Sequence, residues 1–167
     1  NGIYFIERGF GLRPPSSAFD RGGTAVSKFA ADEKYWADIF AKGVRWFHTG
    51  GIFAGLSDTT PAAASAAMKA ARESGAVVSF DLNYRDSLWR ERGGREAANA
   101  VNRQLLPFVD VVFGVFDTDP RLSDFDAERF AKAAEKMRSE FPALRLIVST
   151  LRETHSASVH DLGAAAF

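Results

Sequence analysis

The chain has 167 residues, of which 46% are hydrophobic and 25% charged, so its length and composition are those of one globular α/β domain. The chain has equal numbers of acidic and basic side chains, 21 each, which argues against a nucleic-acid or membrane-surface partner. It contains no cysteine, which excludes disulfides, thiolate zinc sites and a cysteine nucleophile. No apolar run approaches the roughly 20 residues that span a bilayer and no signal-peptide pattern is present, so we expect a cytoplasmic protein.

The first 30 residues predict a β-rich flap. Ile3–Glu7 is rich in β-forming residues and lies between glycines. Residues 9–28 contain glycines and prolines among charged side chains, which is typical of an exposed hairpin and unlike a long helix. We therefore expect residues 1–30 to lie outside the main domain.

Helices and strands alternate along the rest of the chain. The sequence predicts helices at residues 32–41, 61–74, about 94–105 and 126–140. It predicts strands at residues 44–48, 76–82, 110–113 and 144–149, with residues 155–167 returning as antiparallel strands. This alternation is typical of a mostly parallel sheet flanked by helices, and we expect the three tryptophans mainly in its core.

The segment after the second of these strands has the strongest chemical pattern. Ligands of open α/β sheets bind at the carboxyl ends of the strands, and here polar residues occupy every other position. If the chain stays extended, these residues share one face: Ser79, Asp81, Asn83 and Arg85. Such a set suits a polyhydroxylated or carboxylated ligand, because arginine pairs with carboxylates in bidentate fashion. A structural Asp–Arg pair that fixes the following loop is the alternative.

Other signals are weaker. Gly50 and Gly51 form either a tight turn or a point of close ligand approach. No Walker A, G-x-G-x-x-G or H-E-x-x-H motif occurs, and His48 is interpreted as structural. We expect no metal site formed by His155 and His160.

Several segments together resemble one family. The run S-F-D-L-N-Y-R-D-S-L-W at residues 79–89 is similar to the D-x-N-x-R-x-x-L-W segment of the PfkB, or ribokinase, superfamily of sugar kinases, and most to its 2-keto-3-deoxygluconate kinases. In the same order, G-I-Y-F-I-E at residues 2–7, A-F-D-R-G-G-T-A-V-S at 18–27, F-H-T-G-G-I at 47–52 and S-T-L-R-E-x-H-S-A-S at 149–158 fit that subfamily.

The resemblance implies a Rossmann-like (ribokinase-like) α/β kinase domain over residues 31–167 and a β lid over residues 1–30. It also implies transfer of the ATP γ-phosphoryl group, with Mg²⁺, to a hydroxyl of an acid sugar, and a homo-oligomer formed through the lid. By the same resemblance, substrate-binding residues are Tyr4, Phe19, Arg21, Asn83 and Arg85, and Thr150 and Arg152 lie near the nucleotide phosphates. Phe19 stands where a second lid tyrosine is common.

The chain also departs from the family pattern. The family's N-terminal glycine pair is expected before residue 1, and its G-A-G-D signature with the catalytic base after residue 167. The N-x-x-E motif that supports Mg²⁺ is expected at residues 115–118, where the sequence has Val115, Phe116, Asp117 and Thr118. Asp117 is the candidate substitute in that motif.

Three functions therefore remain open from the sequence. The first is a kinase of 2-keto-3-deoxygluconate, of which this chain is the central part. The second is a truncated or degenerate relative that binds an acid sugar without turnover. The third is a PfkB kinase of a neutral sugar such as fructose or ribose.

Overall fold

The computed structural model describes residues 2–116 and 121–167, which form two β-sheets and a layer of helices. The strands of this part of the chain are β1 (Ile3–Glu7), β2 (Ser16–Asp20), β3 (Trp46–Gly50), β4 (Val77–Asp81), β5 (Val111–Phe113), β6 (Leu146–Thr154) and β7 (His160–Ala166). Its α-helices are α1 (Glu33–Phe40), α2 (Gly51–Ala54), α3 (Thr60–Glu73), α4 (Asp86–Trp89), α5 (Gly94–Leu105) and α6 (Ala127–Glu140). Within these residues, no helix has the length and apolar character needed to cross a membrane.

The larger sheet has five strands in the order β3-β4-β5-β6-β7. Strands β3 to β6 are parallel, and β7 pairs antiparallel with β6. Helices connect the successive parallel strands, as crossover connections between parallel neighbours require. The predicted α/β fold with a mostly parallel sheet is therefore confirmed.

The lid predicted for residues 1–30 contains a separate two-stranded antiparallel hairpin. In it β1 pairs with β2 from Ile3 opposite Asp20 to Glu7 opposite Ser16. Both strands are exposed along their whole length. The hairpin therefore forms a flap outside the main core, although the boundary at residue 30 stays a prediction.

One face of the five-stranded sheet packs against the helices. Its strand side chains in the core are Val78, Phe80, Val112 and Ile147, which alternate with residues of the opposite face. Helix α3 contributes alanines and Met68, and small side chains let it lie close to the sheet. Helix α6 contributes Phe130, Ala134 and Met137 to the same cluster.

The opposite face of the sheet carries exposed apolar side chains. Trp46 is 54% exposed, Leu146 39% and Leu162 77%. The prediction that the tryptophans lie mainly in the core is thus wrong for Trp46, whereas Trp89 is buried. Trp46 is nevertheless held in place, because its indole N–H donates to Ser79 Oγ at 2.8 Å.

Predicted elements and observed elements differ mainly at their ends. Strand β3 extends through Gly50, where the sequence predicted an end at residue 48, because Gly50 is still paired with Asp81 of β4. Strand β4 ends at Asp81, one residue earlier than predicted. Helix α1 begins after Asp32, whose carboxylate accepts a hydrogen bond from the Tyr35 backbone N–H at 2.9 Å.

Candidate functional site

A cavity of about 800 Å³ lies at the carboxyl ends of β4, β5 and β6. The residues that line it are Asp81, Leu82, Asn83, Tyr84, Arg85, Arg95, Asn99, Asn102, Phe113, Gly114, Val115, Phe116, Ser149 and Thr150. We call it the strand-end cavity. This is the edge of an open α/β sheet at which ligands bind, as the sequence predicted.

The D-L-N-Y-R segment forms one wall of the strand-end cavity. The extended conformation assumed from the alternation ends before Asn83, whose φ of +33° lies in the left-handed region. Asp81 accepts hydrogen bonds from the backbone N–H and the side-chain Nδ2 of Asn83, both at 3.1 Å. Asp81, Asn83 and Arg85 line the cavity together, although they do not form a regular strand face.

Ser79 is separate from this group, so the prediction that it joins the other three polar residues is wrong. It is fully buried, accepts the N–H of Trp46 and lies 2.7 Å from Nδ1 of His48. Ser79 thus ties β3 to β4 instead of facing a ligand. His48 is one of its partners, in agreement with the structural role predicted for that histidine.

Arg85 has no carboxylate partner among the described residues. Its guanidinium donates to the backbone carbonyl of Tyr84 at 3.3 Å, and Asp81 is hydrogen-bonded to Asn83 instead. The alternative of a structural Asp–Arg pair is therefore not what the geometry contains. An exposed arginine at the rim of a cavity is available to bind an anionic ligand.

Asp81 is the single carboxyl group that lines the strand-end cavity. Partial burial raises the pKa of Asp81 above its usual value, against the opposing effects of the Asn83 N–H and of the charges on His48 and Arg85. The lining contains two arginines, Arg85 and Arg95, and one carboxyl group, so its excess of positive charge favours anions.

Helix α5 forms a second wall that the sequence analysis did not identify. Arg95, Asn99 and Asn102 line the strand-end cavity, and their spacing of four and three residues places them on one side of the helix. The Arg95 guanidinium lies 4.1 Å from the centroid of the Tyr84 ring. A polar stripe at helical spacing is the signal that would have identified this wall.

A second cavity, of about 490 Å³, lies between the lid and α2. It is lined by Tyr4, Phe19 and Arg21 of the lid region and by Ile52 and Leu56 at the other side, among others. The Tyr4 and Phe19 rings stack with centroids 5.9 Å apart, and the Arg21 guanidinium lies 4.4 Å from the centroid of the Phe19 ring. Nη1 of Arg21 is buried without a hydrogen-bond partner, a position that favours an anionic ligand.

The structure therefore places the predicted substrate-binding residues in two groups. Tyr4, Phe19 and Arg21 line the lid cavity, and Asn83 and Arg85 line the strand-end cavity. Their joint action on one ligand stays a prediction.

The predicted nucleotide-side residues also separate. Thr150 lines the strand-end cavity, whereas the guanidinium of Arg152 lies 3.1 Å from Nε2 of His160 on β7. Asp117, the candidate substitute in the N-x-x-E motif, lies outside the described residues. Among residues 2–116 and 121–167, no group of three or more histidine, aspartate or glutamate side chains can hold a metal ion.

Comparisons with known proteins find relatives that are all named as kinases. The chain is 32% identical, over 143 residues, to a 2-dehydro-3-deoxygalactonokinase of Haloferax volcanii, an alignment that covers 86% of this chain and 39% of that protein. It superposes on a 2-dehydro-3-deoxygluconokinase of Thermotoga maritima with a TM-score of 0.82 and 33% identity, covering 99% of this chain and 50% of that one. A PfkB family carbohydrate kinase of Listeria grayi gives a TM-score of 0.80 and 28% identity, again over 99% and 50%. No family model matches the chain.

These relatives confirm the resemblance to PfkB carbohydrate kinases that the D-L-N-Y-R-D-S-L-W segment predicted. The chain spans about half the length of the solved relatives and less than half of the Haloferax volcanii protein.

Proposed function

We propose that this chain belongs to a PfkB-type carbohydrate kinase that transfers the γ-phosphoryl group of ATP to a hydroxyl of 2-keto-3-deoxygluconate. The observation that carries the proposal is the strand-end cavity, where Asn83 and Arg85 of the family-like segment face a volume of about 800 Å³. Relatives named as kinases of 2-dehydro (that is, 2-keto) 3-deoxy sugar acids support the same substrate class.

Arginine side chains explain a preference for an acid sugar. In the proposal, Arg85 binds the carboxylate from the sheet side and Arg21 from the lid side, while Tyr4 and Phe19 cover the sugar. Asn83 donates to or accepts from a sugar hydroxyl. Phosphoryl transfer requires the protein mainly to align the two reactants and to stabilise charge, so fixing the acid end directs the far hydroxyl towards the phosphate.

The described residues fit ATP phosphates better than they fit Mg²⁺. The Thr150 hydroxyl in the strand-end cavity suits a phosphate oxygen, and Arg152 follows on the same strand. Bound ATP would supply the phosphoryl group to be transferred. The described residues contain no acidic cluster that would hold a metal ion, so they fit Mg²⁺ poorly. The base that accepts the hydroxyl proton is expected in the G-A-G-D region of the family.

The direct test is ADP release with Mg·ATP and a panel of sugars, measured on this chain joined to a G-A-G-D region of the family that supplies the expected base. The panel contains 2-keto-3-deoxygluconate, its galactonate epimer, gluconate, fructose and ribose. Turnover restricted to the keto-deoxy acids supports the proposal. The ratio of kcat/KM for the two epimers then assigns the substrate. Turnover of fructose or ribose instead would contradict the acid-sugar assignment.

Replacing Arg85 by alanine is expected to weaken binding of 2-keto-3-deoxygluconate by about 10- to 100-fold, the size of about 1.5–3 kcal/mol for a charged hydrogen bond. Isothermal titration calorimetry of the chain with the sugar acid, and separately with ATP, measures the effect. The matched control is Arg90→Ala, because Arg90 is paired with Asp86 and does not line the cavity. Equal losses for sugar acid and ATP would argue against the carboxylate role.

A binding function without turnover is the second candidate. It is favoured by Val115 and Phe116, which line the strand-end cavity where the family pattern has the start of N-x-x-E. Under this alternative, calorimetry detects the sugar acid while ADP release stays at background. A neutral-sugar kinase is less favoured, because a neutral ligand leaves the guanidinium groups of Arg21 and Arg85 without a carboxylate.

A further inference from the structure

The lid hairpin contacts the α/β body at two separated places. At its open end, Tyr4 and Phe19 line a cavity with Ile52 and Leu56, which lie in and just after the short helix α2 that follows β3. At its turn, Gly11 meets the loop between β6 and β7. Since β4 and β5 lie between β3 and β6 in the sheet, the hairpin extends past the strand ends that line the strand-end cavity.

The contact at the turn of the hairpin is specific. The backbone N–H of Ala157 donates to the Gly11 carbonyl at 3.0 Å, and Gly11 has a φ of +57°, which glycine adopts without strain. The turn is closed by two backbone hydrogen bonds between Phe10 and Arg13, each 3.0 Å. A rigid turn therefore presents its carbonyl to the body.

Gly9 makes the approach of Ala157 to the lid turn possible. A Cβ atom at Gly9 would lie 2.8 Å from Cβ of Ala157, 2.6 Å from the carbonyl oxygen of Arg13 and 2.7 Å from the nitrogen of Pro15. Distances this short exclude a side chain at position 9 without a backbone shift. The fit between the lid turn and the loop thus depends on the absence of a side chain at residue 9 and on a small one at residue 157.

The loop that carries Ala157 is itself held by local hydrogen bonds. The N–H groups of His155 and Ser156 donate to the Val159 carbonyl at 3.0 and 3.2 Å. The Ser156 hydroxyl accepts from the N–H groups of Ser158 and Val159 at 3.3 and 3.1 Å. Both sides of the contact are therefore ordered by their own hydrogen bonds.

We propose that Gly9, Gly11 and Ala157 form a latch that holds the lid across the strand-end cavity, so that they act as positioning residues for ligand binding. The latch lies at the far end of the hairpin from Tyr4, Phe19 and Arg21, and it fixes the direction of the strands that carry them. The expected effect of the latch on binding of the sugar acid rests on the proposed function, whereas its effect on the mobility of the lid does not.

The test compares Ala157→Leu with Ser158→Leu in the full chain. Leucine at position 157 invades the space beneath Gly9, whereas Ser158 is exposed in the same loop and serves as the matched control. Hydrogen exchange of the β1–β2 amides is measured without ligand, with the β4 amides as an internal reference for the fold. We expect exchange in the lid to rise at least tenfold in Ala157→Leu, with β4 and Ser158→Leu unchanged.

The second measurement is the dissociation rate of 2-keto-3-deoxygluconate, expected to rise about tenfold in Ala157→Leu. Faster lid exchange without any sugar binding to the parent chain supports the latch and contradicts the proposed function. Unchanged lid exchange in Ala157→Leu overturns the latch, whatever the sugar does. Gly9→Val tests the lid side of the same contact, and we expect it to raise hydrogen exchange in the lid as Ala157→Leu does.

Discussion

Asn83 adopts a backbone conformation that few residues other than glycine accept. Its φ is +33°, and it is the single non-glycine residue with a positive φ in the described part of the chain. Its N–H and Nδ2 both donate to the Asp81 carboxylate, which compensates the strain locally. The same turn directs Arg85 to the strand-end cavity, so a strained residue orients a binding residue.

Replacing Asn83 by alanine is therefore expected to destabilise the protein by about 1–3 kcal/mol, because the left-handed backbone remains and the side-chain hydrogen bond is lost. Asn83→Gly should cost less, since glycine adopts this conformation without strain. Chemical denaturation of both variants measures the difference. An alanine variant as stable as the glycine variant would show that the backbone is not strained at this position.

His155 and Asp161 form an exposed ion pair beside the latch loop, with Nε2 and Oδ2 2.7 Å apart. The hydrogen bond and the charge of Asp161 raise the pKa of His155 above its usual value, and Glu153 acts in the same direction. Because the pKa of His155 is raised on folding, the pair contributes its full stabilisation at a pH below the pKa of histidine in the unfolded chain, which is about 6.5. This stabilisation is lost as the pH rises through the pKa of His155 in the folded protein.

We expect an NMR titration to give His155 a pKa above about 6.5 in the parent chain and a value closer to 6.5 in Asp161→Asn. In the parent chain, hydrogen exchange in the loop at residues 155–159 should increase with pH more steeply than the intrinsic exchange rate does. In Asp161→Asn this excess over the intrinsic rate should be smaller. A His155 pKa unaffected by the loss of Asp161 would contradict the pairing.

At the scale of elements, long periodic segments were predictable and short ones were not. The alanine-rich run predicted a helix at 61–74, and α3 spans Thr60–Glu73. Helices α2 and α4, of four residues each, carry too little periodicity for a sequence pattern to reveal them. Helix α2 follows β3 directly, and residues 82–85 connect β4 to α4. The path of the chain around the site therefore depended on short elements that only tertiary packing determines.

Helix α3 gives a test of how closely helix and sheet approach. Ala71 is fully buried against the sheet, whereas Ala62 of the same helix is exposed. Ala71→Leu is expected to destabilise the protein by about 1–3 kcal/mol through overpacking, and Ala62→Leu by less than about 0.5 kcal/mol. Thermal unfolding of the two variants measures the contrast. Similar stabilities would mean that the helix can move away from the sheet at little cost.

At the scale of the whole molecule, the sequence located the strand-end cavity but not its surroundings. Asp81, Asn83, Arg85 and Thr150 belong to the strand ends that topology brings together, which alternation of helices and strands predicts. The wall of α5 and the latch at Ala157 depend on contacts between segments distant in sequence. The latch leaves no local sequence pattern and was not predictable, whereas the polar stripe of α5 is a local pattern at helical spacing.

The helix-free face of the five-stranded sheet exposes apolar side chains. Parallel sheets are normally covered on both faces, yet Trp46, Leu146 and Leu162 of the helix-free face are exposed. Ser79 and Val111 of the same face are buried between these exposed side chains and the sheet. An exposed apolar patch binds hydrophobic dyes. We expect the chain to enhance the fluorescence of 8-anilinonaphthalene-1-sulfonate while it is folded, and Trp46→Glu combined with Leu146→Glu to reduce the enhancement several-fold.

The lid provides the control for this dye experiment, because it also exposes apolar residues. Phe10 is 87% exposed and Leu12 90%, but they lie on the turn of the hairpin, away from the sheet. Phe10→Glu combined with Leu12→Glu introduces the same charge and removes a comparable apolar area. If the dye responds to the continuous sheet face, the lid variant retains most of the enhancement, because isolated side chains on a turn offer no flat surface for a ring system. An equal reduction in both variants would mean that the dye senses exposed apolar residues in general and that the sheet face is not a distinct binding surface.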